Sequence, residues 1–214
     1  MAYTVPNGSK IFISKTIAAA IAVTAVTNAA TAVASAAGTQ TVGKEFIFTS
    51  GWEDANNAVY RMANPTAGAF EIEGLDTTNT SMFTPGGGIG SIRIIDAWQE
   101  IQQVLNPSSS GGEAKFADVS PLAKMRDFQI PTGFTAQSLT IPIGDDPSLP
   151  GYIELKKASK ERRLVALKVL KPNGNVNYFY GYVALNEMPS LTKDQVDTVT
   201  ASFAAQGDAV RYAV

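Results

Sequence analysis

Asp145 and Asp146, adjacent carboxylates followed by Ser148 and Pro150, stand in the pattern nearest to a cation site in this sequence. The same residues also open helices: short polar side chains accept from free backbone N–H groups, and proline suits the first turn. That reading needs no metal. Tyr178, Phe179, Tyr180 and Tyr182 could stack nucleic-acid bases, but no basic groove accompanies them, so a core or interface role is expected. The glycines of "GGGIGSIR" could mimic a phosphate loop, yet the Lys-Ser/Thr pair that ends such a loop is missing; they read as a flexible linker. Lys156, Lys157, Lys160, Arg162 and Arg163 suit the C-terminal end of a helix dipole, as a solvated end or as a contact for an acidic neighbour. No carboxylate pair or Ser-Lys pair stands in a catalytic context.

The chain has no histidine and no cysteine. The commonest general base and metal ligand are therefore missing, and so are disulfides and thiolate sites. No enzyme activity, cofactor or metal is expected. A net charge of −2 gives no basic face for gripping phosphates. Charged residues make up only 17% of the chain, and Gly, Thr, Val and Ala are abundant, which suits a β-rich, self-associating structural protein. The length of 214 residues allows one large domain or two small ones.

The elements that position these residues read as short strands. "KIFIS" is the first. The following "KTIAAAIAVTAVTNAATAVASAAG" has no charge after Lys15 and resembles a signal peptide or a weak membrane span. Its threonines, Asn28 and lack of leucine argue against both, and two strands joined near "TNAA" are preferred. "TVGKEFIFTS", "AVYRMAN" and "AFEIEGL" continue the run of strands to about residue 90. "IRIIDAWQEIQQVL" fits a helical period through Ile94, Ile95, Trp98, Ile101 and Leu105. "NPSSSGGE" reads as a mobile loop tip. "KMRDFQIP" and "AQSLTIPIG" read as strands, with Pro131 and Pro142 at ends or edges. A helix is expected through "PGYIELKKASK". Two strands then flank Pro172-Asn173-Gly174-Asn175, where Asn173 and Gly174 suit a hairpin turn. "DQVDTVTASFAAQ" reads as the last strand, with Val199, Ala201 and Phe203 on one face and Val196, Thr198, Thr200 and Ser202 on the other.

This order, a first strand "SKIFIS", then "WQEIQQV", a long loop, "LTIPIGDDP", a short helix, "LVALKVLKPNGNVNYFYGYV" and "TKDQVDTVTASF", resembles the major tail tube proteins of long-tailed bacteriophages. The resemblance covers roughly residues 5–17 and 92–214. Its aromatic-x-x-Ile-x-x-Val pattern, here Trp98, Ile101 and Val104, favours a strand over the helix suggested by periodicity.

The resemblance implies a mainly β fold, a sandwich or barrel with one flanking helix. It assigns residues 1–17 and 91–214 to a discontinuous core and leaves 18–90 as an inserted small β-domain, expected on the exterior of a non-contractile, siphophage-type tube. It implies rings, usually of six copies, stacked into a hollow conduit in the virion tail and assembled in the host cytoplasm. The other partners would be a tape measure protein, tail terminator and tip proteins, and passing DNA without sequence-specific binding. No membrane contact is expected. Lumen-facing residues are expected at Glu100, Gln102, Thr198, Thr200 and Ser202. Asn106, Ser109, Gly111, Glu113 and Lys115 are expected in a loop that orders against the next ring. A baseplate, head–tail joining or secretion-tube component, an exported adhesin and a carboxylate enzyme remain as alternatives.

Overall fold

The computed structural model describes residues 5–38, 41–123 and 125–213. Lys124, within the "KMRDFQIP" stretch, lies outside them. The chain forms β1 (Lys10–Ile17), β2 (Ile21–Val26), β3 (Val33–Ala36), β4 (Glu45–Ser50), β5 (Ala58–Thr66), β6 (Ala69–Ile72) and β7 (Gly90–Ile101). There follow β8 (Ser108–Ser110), β9 (Ala114–Val119), β10 (Phe128–Phe134), β11 (Ser138–Gly144), α1 (Pro150–Glu161), β12 (Leu164–Leu170), β13 (Val176–Ser190), β14 (Thr198–Ala205) and β15 (Val210–Tyr212). The fold is mainly β with one α-helix.

The sheet closes twice. β7 pairs with both β2 and β4, so the order β2-β3-β6-β5-β4-β7 forms a six-stranded barrel. The order β7-β1-β12-β13-β14-β11 forms a second, closed where the chain just beyond β7 meets β11. There Val104 bridges Ile143, and the Leu105 N–H donates to the Pro142 carbonyl at 2.9 Å. In this circular order β1 lies diametrically across from β14, and β12 across from β11. β7 thus belongs to both barrels, and this explains its misleading pattern. Ile92 and Ile94 pack into the first core, Ile95 and Trp98 into the seam between barrels, and Ile101 into the second core. A strand buried on changing sides loses its period of two and imitates a helix.

The uncharged stretch after Lys15 is folded. It completes β1 and forms β2 and β3, which pair antiparallel across the Asn28 turn. Thr77 holds that turn: its hydroxyl donates to the Thr27 carbonyl at 2.8 Å and accepts the Ala29 N–H at 3.0 Å. The first core gathers Phe46, Phe48, Met62, Phe70, Ile72 and Ile92, with Phe46 and Phe70 edge to face at 5.3 Å. Gly87 and Gly88 of the triple glycine are packed, contrary to the linker expectation, and Gly86 stays exposed. Trp52 donates to the Thr84 carbonyl at 2.8 Å, and a Cβ on Gly88 would fall 2.6 Å from the indole ring. Only glycine lets this loop lie flat on Trp52.

In the second core, Tyr152, Leu155 and Ala158 of α1 meet Ile13, Ile101, Ile141, Leu167, Val199 and Phe203. Three expectations are corrected around it. Asp145, Asp146 and Ser148 do not cap α1. Asp146 instead accepts the Ser148 N–H at 3.0 Å, the N-cap is Leu149 without a side-chain bond, and the helical Gly151 N–H is taken by the Gln102 side chain at 3.1 Å. Pro142 lies inside β11, opposite Thr200, with its carbonyl bonded to Leu105. β14 is not the last strand, because β15 follows and pairs with the start of β13. Between β12 and β13, Lys171 and Asn175 close the turn, and of its residues only Gly174 takes a positive φ, +85°. Asn173 accepts the Asn175 N–H at 3.1 Å.

Candidate conduit surface

Thr198, Thr200 and Ser202 alternate along β14 with the buried Val199, Ala201 and Phe203. Strand pairing extends this face sideways. Ser202 lies opposite Thr140 on β11 and Ala184 on β13, Thr140 lies opposite Ser108 on β8, and Thr200 stands between Pro142 and Asn186. A four-strand wall results whose outward residues are small and mostly polar, except for the exposed Tyr182 opposite Ala204. The participating stretches, 108–110, 138–144, 182–186 and 198–205, contain no charged residue. Charge resumes at the end of the wall, where the Asp145 N–H donates to the Asp197 carbonyl at 3.0 Å. Ser108, Thr140, Pro142, Ala184 and Asn186 were missed in the sequence, although the signal was present: the same small-polar alternation as in "TVTASF" recurs in "LTIPIG".

Glu100 and Gln102 do not join this wall. Glu100 pairs with Lys10 at 3.2 Å, opposite Phe12 on the β1 side of the barrel. Gln102 is committed to the first turn of α1. The expected loop residues also separate. Ser109 is in β8, Gly111 follows it with φ +85°, and the Glu113 N–H donates to the Thr135 hydroxyl at 3.0 Å. Lys115 lies in the β9–β10 hairpin, whose described residues are almost all exposed, and Asn106 lies between β7 and β8. The hairpin carries Phe116, Phe128, Ile130 and Phe134 in the open.

The seam between the barrels is a polar clamp. The carboxylate of Glu45 on β4 accepts from the Trp98 indole N–H, the Tyr178 hydroxyl and, at 3.1 Å, the Lys168 ammonium. Three strands of the second barrel thus converge on one side chain of the first. Burial, and the Glu45 carboxylate that accepts its proton, push the Tyr178 hydroxyl far up. Lys168 also lies 4.6 Å from the Trp98 ring centroid, a cation–π contact. Beside it, the Tyr212 hydroxyl donates to the Glu73 carbonyl at 2.8 Å and accepts the Arg61 N–H at 3.1 Å. Among the described residues, no group of three or more His, Cys, Asp or Glu side chains could hold a metal ion, and no helix is long and apolar enough to cross a membrane.

A double barrel with an uncharged wall and an apolar arm has the build of a structural component. The chain belongs to the phage tail tube protein family, whose model, described as "Phage tail tube protein, TTP", matches residues 50–214. The match begins inside the segment expected as an insertion. The family is structural, and its members are components of the virion tail. Similar solved structures include the tail of an empty GTA particle refined helically in C6 symmetry (11% identity, TM-score 0.43, covering 54% of this chain and 87% of that one). Another is the six-fold symmetrised baseplate of the anti-feeding prophage (13% identity, TM-score 0.38, covering 56% and 87%). Curated proteins give no match.

Proposed function

We propose that this chain forms stacked rings of six copies whose bore conducts the phage genome into the host, and that the wall of β8, β11, β14 and the second half of β13 lines that bore. The uncharged, small-polar face carries this reading. DNA is a dense polyanion, and each cation on a wall would exchange for a counterion and hold a phosphate. Hydroxyls and amides hydrate without supplying fixed positive charge, so DNA can slide past them. Thr198, Thr200 and Ser202 are lumen residues in this reading, joined by Thr140 and Asn186. Glu100 and Gln102 are not.

The first barrel, residues 18–90 together with the start of β7, is then the exterior module. It is attached through the side of the second barrel that carries β1 and β12, across from β14 and β11. Modules on the outside would leave a contractile sheath little room, so the tail is non-contractile in this reading. The exposed β9–β10 arm makes the contact between rings. Tape measure, terminator and tip proteins complete the tail.

Negative-stain microscopy of the purified chain tests the reading. Long tubes with a regular axial repeat are the expected result. Isolated rings would favour a baseplate or joining component, and stable monomers would overturn both.

A further inference from the structure

Two charged clefts border the seam between the barrels. The first, of about 470 Å3, is lined by Lys15, Arg93, Lys157 and Arg163, with Glu161 as its one carboxylate. Arg163 already takes Glu161, at 3.2 Å, and Glu154. The half-buried Arg93 guanidinium donates to the hydroxyl of the buried Tyr180. Among the described residues, Lys15, Arg93 and Lys157 have no carboxylate within ion-pair distance. The second cleft, of about 570 Å3, is lined by Glu53 and Asp208 and by no cation. Asp54 follows Glu53 in the same exposed turn. The loop that carries Asp208 is fixed. The Gln206 N–H donates to the Tyr180 carbonyl at 2.8 Å, and a Cβ on Gly207 would fall 2.4 Å from the Asn57 carbonyl oxygen. Glu53, Asp54 and Asp208 also lack an ion-pair partner among the described residues.

Resting on the ring reading above, we propose that Glu53, Asp54 and Asp208 of one copy enter the basic cleft of the next copy around the same ring. Charge complementarity supports this occupant. Each set lacks its counter-charge within its own chain, and a half-desolvated guanidinium such as Arg93 gains most from an incoming carboxylate. Placement supports it too. Arg93 is on β7, with Lys15 and Thr16 on the neighbouring β1, whereas the Asp208 loop lies along β13. In the circular strand order β7 is diametrically across from β13. With β14 and β11 towards the bore and β1 and β12 outward, β7 and β13 are the two sides left to face neighbouring copies. The clefts also stand at one level of the sheet. Val165 lies opposite Gly181 and Gly181 opposite Ala205, while the Ala166 N–H donates to the Ser14 hydroxyl at 3.0 Å. A copy brought alongside with no displacement along the strands therefore sets acid against base. Such a contact joins two different patches, so it is heterologous and closes by rotation into a ring.

Two double variants test the contact, one with Lys15→Glu and Lys157→Glu, the other with Glu53→Lys and Asp208→Lys. Both change only exposed side chains and are expected to keep the wild-type melting temperature. The first carries acid on both sides and the second base on both, so neither fits a copy of itself. An even ring of six closes when the two alternate. The expected result is no tubes from either variant alone and tubes of wild-type length from the equimolar mixture, seen by negative-stain microscopy. Tubes from either variant alone at the wild-type concentration, or folded variants whose mixture stays monomeric, would overturn the contact and leave the tube reading standing. No tubes from the unaltered chain would overturn both. A second measurement needs no substitution. Between about 0.1 and 1 M salt the screening length falls from about 10 to about 3 Å, and the concentration at which the unaltered chain begins to assemble is expected to rise about tenfold. A flat or falling curve would contradict the proposal.

Discussion

Glu45 is the residue on which most of the seam depends. In Glu45→Gln the carboxylate that three donors share becomes a neutral amide, leaving the Lys168 ammonium and Tyr178 hydroxyl poorly matched in a largely buried site. Breaking one partner of such a group costs about 2–4 kcal/mol, so denaturant unfolding is expected to lose about that much with an unchanged slope. Tyr212 gives the seam an alkaline limit. Burial, foremost, raises its hydroxyl from the usual 10 to about 12. The unfolded chain then releases this proton before the folded one does. Its contribution is complete below pH 10 and is lost as pH rises from 10 towards 12. Tyr60 and Tyr178, both raised largely by burial, act in the same direction. Tyr212→Phe is expected to be less stable at pH 7, by about 1 kcal/mol for the lost hydrogen bonds. Its stability should also decline less steeply between pH 10 and 12, as followed by denaturation at fixed pH values.

Helix α1 seals one end of the second barrel through Tyr152, Leu155 and Ala158. Leu155 is fully buried, and Leu155→Ala is expected to cost about 3 kcal/mol in denaturant unfolding. A cost under 1 kcal/mol would mean that the helix lies on the barrel without plugging it. This helix was legible in the sequence, because Pro150 at its start and the basic run at its end are local signals. Its cap was not. The Gly151 N–H finds Gln102, 49 positions earlier, and no local pattern reports that. β7 was ambiguous for a related reason, since its burial changes from barrel to barrel. The β2–β3 pair was legible because Asn28 and the valines and threonines around it carry turn and strand signals in one short window. The Trp52–glycine contact was not, because it joins residues more than thirty apart.

In the whole molecule, two closed barrels remove most exposed sheet edges, leaving among the described residues the edges of β8 and β15 and the arm for contacts between copies. Only one strand of the proposed wall was readable: "TVTASF" displays its alternation openly, while the partners of Glu100 and Gln102, Lys10 and α1, are revealed only by the folded chain. Charge on this wall is expected to act on passage, not on folding. Ser202→Arg is exposed and should leave unfolding stability within about 0.5 kcal/mol. The bore would then present a cation from every copy, and genome ejection from phage carrying the variant is expected to slow at low salt and recover as salt is raised. Ejection at the wild-type rate at every salt concentration would remove Ser202 from the wall. A helical reconstruction of tubes grown from the purified chain tests the central claim most directly. The result expected is a bore lined by Thr140, Thr200 and Ser202, with residues 18–90 on the outer surface. A bore lined by the first barrel, or by Glu100 and Lys10, would contradict it.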